Sequence, residues 1–175
     1  MRRLMLLRHA KSDWSQPGKS DHERDLAPRG RKAAPLMGRY MAEHALIPDH
    51  AIISTAERTR ETFRIVADAL PKRPTTQFED RIYEASPRDI MATIAQAPAS
   101  AQSLLVVGHN PGFQETANLL VHSGDKKLRR SLSEKFPTGA LAVIDLDIGG
   151  WDEIRPGAGT LVGFVTPRAI GGPDD

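Results

Sequence analysis

Leu4-Met5-Leu6-Leu7-Arg8-His9-Ala10 decides how the chain is read. Four apolar residues run without interruption, stop at an arginine and a histidine, and give way to a small residue. The run reads as a buried strand that delivers two polar side chains to its carboxyl end. In α/β folds the carboxyl ends of strands are where ligand sites lie. Taken alone, such a basic pair could equally be an incidental surface feature. A later stretch, Leu104-Leu105-Val106-Val107-Gly108-His109-Asn110-Pro111-Gly112, repeats the arrangement: an apolar run, a histidine, then turn residues. Two strands that each end in a histidine point to one shared site.

Working outward, the first strand covers roughly Arg3 to Leu7 and is followed by a polar loop, Lys11 to Asp25, marked by Pro17-Gly18. A loop of that length beside a site is usually functional. Pro28 suits a first helical turn. Leu36, Met37, Tyr40, Met41 and Leu46 then fall at helical spacing, so a helix should end near Ala45. Pro35 either places its start later or kinks it. A short strand, Ala51 to Ser54, leads into a helix from about Ala56 to Leu70, closed by Pro71 and Pro74. An edge strand near Gln77-Phe78 is expected next. Ser86-Pro87 reads as a cap and first helical residue of a helix reaching Ala97. Ser103 to Val107 is the clearest buried strand, and Asn110-Pro111-Gly112 opens a helix to about Val121.

Ser123 to Lys135 reads as a charged, flexible crossing. Leu141 to Leu146 is a strand, and Trp151 to Ile154 and Thr160 to Val165 read as two short strands after the Gly149-Gly150 turn. Gly171 to Asp175 should fray. Strands that alternate with helices and finish in antiparallel strands predict an α/β fold. The expected architecture is a three-layer α/β/α arrangement with a mostly parallel central sheet and antiparallel strands near the C-terminus. The 175 residues fit a single domain spanning 1–175.

Composition narrows the chemistry. There is no cysteine, which removes disulfides, thiolate metal sites and a thiol nucleophile, and is compatible with a cytoplasmic location. No apolar stretch approaches the ~20 residues that span a bilayer, and the run after Met1-Arg2-Arg3 stops at Arg8, too early for a signal peptide. A net charge of +2 and 5% aromatic residues argue against a nucleic-acid surface. The balance suits an anionic ligand held by a few arginines.

Arg8, His9, Arg58 and His109 supply that ligand's partners. Arg8 and His9 end one strand and His109 another. Arg58 lies in the first turn of the helix after Ser54. All can converge at one sheet edge. Guanidinium groups bind phosphate oxygens in bidentate fashion, and neutral imidazole is a competent nucleophile near pH 7. Phosphoryl transfer asks for in-line positioning and donors to the equatorial oxygens, which such a cage provides.

These segments carry a resemblance. Arg8-His9-Ala10-Lys11-Ser12-Asp13-Trp14 resembles the Arg-His-Gly motif of the histidine phosphatase superfamily, the phosphoglycerate mutase-like fold. Ser54-Thr55-Ala56-Glu57-Arg58-Thr59-Arg60-Glu61-Thr62 resembles its Ser-x-x-x-Arg-x-x-x-Thr segment, and Val107 to Gly112 its second histidine segment. Asp21 to Gly30, Tyr83 to Pro87 and Phe136 to Ala140 make the short SixA-type phosphohistidine phosphatases the most similar branch. The resemblance implies that His9 attacks phosphorus and becomes phosphohistidine, while Arg8, Arg58 and His109 bind the phosphoryl oxygens. The chain departs from the motif at Ala10, where many members have glycine; alanine suffices unless φ is positive there.

The leaving group needs a proton unless it departs easily, and Glu84 is the first candidate acid, ahead of Asp80 and Asp13. Without an acid, labile P–N bonds would be favoured over alkyl phosphates. The expected partner is a phosphohistidine on a signalling protein or a small phosphomonoester, with no nucleic acid and no membrane. The alternatives are mutase-like phosphoryl transfer on a small metabolite and a non-catalytic phosphate-binding module. No cofactor is implied. His22, His44, His50 and His122 have no partners at metal-ligand spacing, so no metal is assigned. Arg24 and Arg29 are candidates to extend the anion site, and Trp14 to line it.

Overall fold

The computed structural model describes residues 1–175. Its first strand, β1 (Arg2–Arg8), explains why Leu4 to Leu7 are apolar without alternation. Leu4 and Leu6 point into one core and Met5 and Leu7 into another, and all four are fully buried. Each such side chain contributes roughly 1.5–3 kcal/mol by leaving water. A strand wedged between two layers has no solvent face on which to place a polar residue.

The remaining elements are α1 (Pro28–Glu43), β2 (His50–Ser54), α2 (Glu57–Asp68), β3 (Thr75–Glu79), α3 (Pro87–Ile94), β4 (Ser103–Gly108), α4 (Gly112–Leu120), β5 (Val121–Gly124), α5 (Lys126–Glu134), β6 (Leu141–Leu146) and β7 (Gly159–Val165). The sheet runs β3-β2-β4-β1-β6-β7-β5. Only β6 runs against the others, antiparallel to both β1 and β7. Helices α1 and α2 cover one face through Met37, Met41, Phe63 and Val66; α3, α4 and α5 cover the other through Ile90, Ile94, Phe113 and Leu132. The three-layer α/β/α arrangement with a mostly parallel sheet is therefore as expected.

The topology places the site. β2, β4 and β1 are adjacent and parallel, with Ile53 beside Val107 and Arg8 beside Gly108. Their carboxyl ends bring Ser54, His109, Arg8 and His9 to one edge, and α2 starts there with Arg58 in its first turn.

Several expectations are corrected. Trp151 to Ile154 is not a strand. Trp151–Glu153 forms a short 3₁₀ turn, because the Trp151 indole is buried and its Nε1–H donates to the Ala101 carbonyl at 2.8 Å. The charged segment 123–135 is not a flexible crossing. It completes β5 and then forms α5, capped by Asp125 accepting from the Leu128 amide and anchored by buried Leu132. Its abundant charge hid the apolar stripe. Pro35 lies inside α1, which continues past it. The segment Gly171 to Asp175, expected to fray, makes two ion pairs: Asp175 with Lys135 at 3.0 Å and Asp174 with Arg168 at 3.3 Å.

Candidate active site

His9 leaves β1 while its backbone is still held: its N–H donates to the Gly108 carbonyl at 3.1 Å, and its carbonyl accepts from Gly139 at 2.9 Å. The ring is fixed as firmly. Nδ1 lies 2.7 Å from the Ala10 carbonyl, an acceptor only, so Nδ1 carries the proton and Nε2 keeps its lone pair. Ala10 is fully buried, its N–H donates to Thr62 Oγ1 at 3.0 Å, and its φ is not positive, so glycine's freedom is not required there.

Arg8 donates from Nη1 to the Phe136 carbonyl at 2.9 Å, while its buried Nε–H has no partner. Arg58 is held from the far side. It donates to the Asp21 carbonyl at 2.8 Å and to the Asp21 carboxylate at 3.1 Å, and that same carboxylate oxygen accepts a 2.5 Å hydrogen bond from the Tyr83 hydroxyl. The Tyr83 ring stands edge-on to His109, centroids 5.4 Å apart. His109 Nε2 is 2.7 Å from Ser54 Oγ, and its buried Nδ1 has no partner. The two imidazoles lie 5.4 Å apart. Arg8, His9, Arg58, Glu84, His109 and Asn110 line one cavity of about 230 Å³.

The electrostatics follow from this packing. Burial, with Arg58 and Arg8 adding repulsion, drives His9 down to about 3 against the opposing hydrogen bond to Ala10. Burial, then His9 and Arg58, drives His109 down to about 2. Both rings are neutral at pH 7. Burial also pushes the Tyr83 hydroxyl up to about 12, helped by Asp21, so it stays a donor. Two arginines and two unprotonated histidines around a small cavity form a site short of negative charge. A tetrahedral dianion supplies it, and the unpartnered Arg8 Nε–H and His109 Nδ1 are free for its oxygens.

All five residues singled out from sequence, Arg8, His9, Arg58, Glu84 and His109, thus meet at this cavity. Asp80 and Asp13 do not. Asp80 accepts from Thr55 Oγ1 at 2.7 Å and Asp13 from Ser15 Oγ at 2.6 Å, and neither lines the cavity. Glu84 is exposed and adopts φ 51°, a left-handed conformation that costs a non-glycine residue about 1 kcal/mol or more. That bend lets Tyr83 face Asp21 while Glu84 faces the cavity. Trp14 lines it too, although 60% exposed, with the Arg24 guanidinium 4.1 Å above its ring. Arg29 lies outside it. No three His, Cys, Asp or Glu side chains are grouped to hold a metal ion.

Sequence reasoning quoted segments that contain Asp21, Tyr83, Ser54 and Thr62 but gave none of the four a supporting role. Asp21 sits among charged loop residues with nothing to distinguish it, and its pairing with Arg58 spans 37 positions.

Comparison with known proteins places the fold. A family model described as the histidine phosphatase superfamily (branch 1) matches residues 4–93. An uncharacterised protein of Mycobacterium tuberculosis is 36% identical over 164 residues, spanning 93% of this chain and all of that one. A solved structure of a candidate phosphohistidine phosphatase SixA from Agrobacterium tumefaciens has TM-score 0.80 at 31% identity, over 95% of this chain and 98% of that one. A second, from Nakamurella multipartitia, has TM-score 0.80 at 30% identity, over 95% and 96%.

Proposed function

The chain belongs to the histidine phosphatase superfamily, and we propose that within it the protein hydrolyses phosphorylated substrates through a phosphohistidine formed on His9. The observation that carries this is the fixed tautomer of His9: Nδ1–H is committed to the Ala10 carbonyl, leaving the Nε2 lone pair, in a neutral ring, beside two arginines.

The reaction is a double displacement. His9 Nε2 attacks phosphorus in line as the bond to the leaving group breaks, and the leaving group takes a proton from Glu84 or departs unaided. Arg8, Arg58 and His109 donate to the equatorial oxygens, where charge grows in the transition state. Water then attacks phosphorus, returning His9 and releasing phosphate, with Glu84 now accepting the proton.

Glu84 is exposed, so proton supply to a poor leaving group is not tightly enclosed. This favours a labile P–N bond, as in a phosphohistidine on a signalling protein, over an alkyl phosphate. The likeness to the two SixA structures supports the same choice. The reading is tested by turnover of a phosphohistidine peptide and of p-nitrophenyl phosphate with chelator present. Wild type is expected to hydrolyse both and His9→Ala neither; full turnover by His9→Ala would overturn it.

A further inference from the structure

Beside the catalytic cavity lies a second, larger cavity of about 440 Å³. The two share Lys11 and Thr138. Arg29, Lys135 and Arg168 add three more cations to its walls, and the chain's own segment Pro173-Asp174-Asp175 lines it beside them. The Asp175 carboxylate receives both the Thr138 hydroxyl and, at 3.3 Å, the Thr138 backbone N–H, and pairs with Lys135 at 3.0 Å. It is close enough to Arg8 to act on that guanidinium electrostatically. The Asp174 carboxylate pairs with Arg168 at 3.3 Å, and its carbonyl accepts from Arg29 at 3.4 Å. Within the wall, Gly139, next to Thr138, donates its N–H to the carbonyl of His9, so cleft and nucleophile are tied through adjacent residues.

We propose that this basic cleft is a docking subsite for an acidic peptide segment flanking the phosphorylated residue of a protein substrate, and that Asp174-Asp175, in its wall, competes with that segment for the same cations. The pairings of that wall segment show what the cleft's donors accept: consecutive carboxylates, one held by a hydroxyl and an amide together, the other by an exposed arginine. A substrate chain entering the catalytic cavity with its phosphoryl group would cross Lys11 and Thr138 into the same cleft. Complementary charge of this kind selects partners and register more than it adds bulk affinity. The proposal rests on the phosphatase reading for its substrate, but not for its binding.

The test uses fluorescence anisotropy with a labelled peptide containing two consecutive aspartates, and the same peptide with asparagines. In full-length protein, Asp174→Asn/Asp175→Asn is expected to tighten the acidic peptide by about three- to tenfold, because exposed ion pairs of this sort are individually weak. Lys135→Ala/Arg168→Ala is expected to weaken it by a similar factor, and neither variant should move the asparagine peptide. Lys135→Ala/Arg168→Ala should hydrolyse p-nitrophenyl phosphate at the wild-type kcat, while KM for an acidic phosphopeptide follows the binding constants in both variants. Equal affinity for the two peptides, or no response to either double variant, would overturn the proposal. Free succinate displacing the peptide at equal concentration would overturn it too, by assigning the cleft to small anions. If the binding results hold but no form hydrolyses any phosphate, it is the phosphatase reading that falls.

Discussion

Ser54→Ala is the sharpest perturbation of the site, because Ser54 lies behind His109 and does not line the cavity. Its hydroxyl lies 2.7 Å from His109 Nε2, and both residues are buried. For His109 to donate toward a phosphoryl oxygen its proton must sit on Nδ1. Ser54 Oγ–H then donates to Nε2, and that bond sets the tautomer. Removing it has two separable consequences. The buried imidazole nitrogen loses its partner, which costs about 1–3 kcal/mol of stability and lowers Tm by roughly 5 °C in a chain of this size. The bias toward Nδ1–H falls by a hydrogen bond's net worth, about 0.5–1.5 kcal/mol, so kcat for p-nitrophenyl phosphate should fall about two- to tenfold. Complete loss of the donor bounds the effect at about 10²–10³-fold. Calorimetry gives the first number, steady-state kinetics the second, and ¹⁵N shifts of the His109 ring report the tautomer. A stable variant with wild-type kcat and an unaltered ring tautomer would refute the assignment of Ser54 as a positioning residue.

Glu84→Gln should slow the first step, release of the leaving group, by about 10²-fold or more for an alkyl phosphate, the share a general acid supplies, while the first-step burst with p-nitrophenyl phosphate and a phosphohistidine peptide is little affected; equal loss of that burst on all three would remove Glu84 as the acid. Lowering the pH should destabilise the fold. An unfolded chain protonates His9 and His109 below about 6.5, whereas the native rings stay neutral down to about 3 and 2. The unfolded state therefore binds more protons across this window, and stability rises with pH. Urea midpoints should be lower at pH 5 than at pH 7, and a flat profile would contradict the neutral, buried pair. Gly30→Ala should lower Tm and raise KM, because a Cβ there would lie 2.3 Å from the Lys11 carbonyl, a backbone atom beside the site. Overpacking of this kind costs about 1–3 kcal/mol. Gly18→Ala, with open space around it, is the matched control.

How far the sequence could be read depends on where each residue's partners lie. The strand ends were legible because burial on both faces leaves an unbroken apolar run, and a polar residue can appear only where the strand exits. Arg58 was legible because a helix N-terminus after such a strand is a fixed place in the topology. The supporting residues were not, since nothing local marks Asp21 as the carboxylate that will reach Arg58 and Tyr83. The same limit explains α5. Its charge density masks a single buried leucine, and only packing against the sheet makes that leucine decisive. Trp151 misled for the opposite reason: an aromatic near a turn resembles a short strand, but its burial and indole hydrogen bond belong to a plug at the foot of the core. The segment Gly171 to Asp175 reads as a fraying end because its ion partners, Lys135 and Arg168, are unremarkable surface cations in the sequence.

The central claim is that phosphate passes through His9. It is tested most directly by acid-free quenching of the protein during turnover of a phosphohistidine peptide or p-nitrophenyl phosphate, followed by peptide mass spectrometry. The account predicts an alkali-stable, acid-labile phosphate on His9 that accumulates in wild type and is absent from His9→Ala. Steady hydrolysis in wild type without any phosphate on His9, or with phosphate on His109 instead, would contradict it.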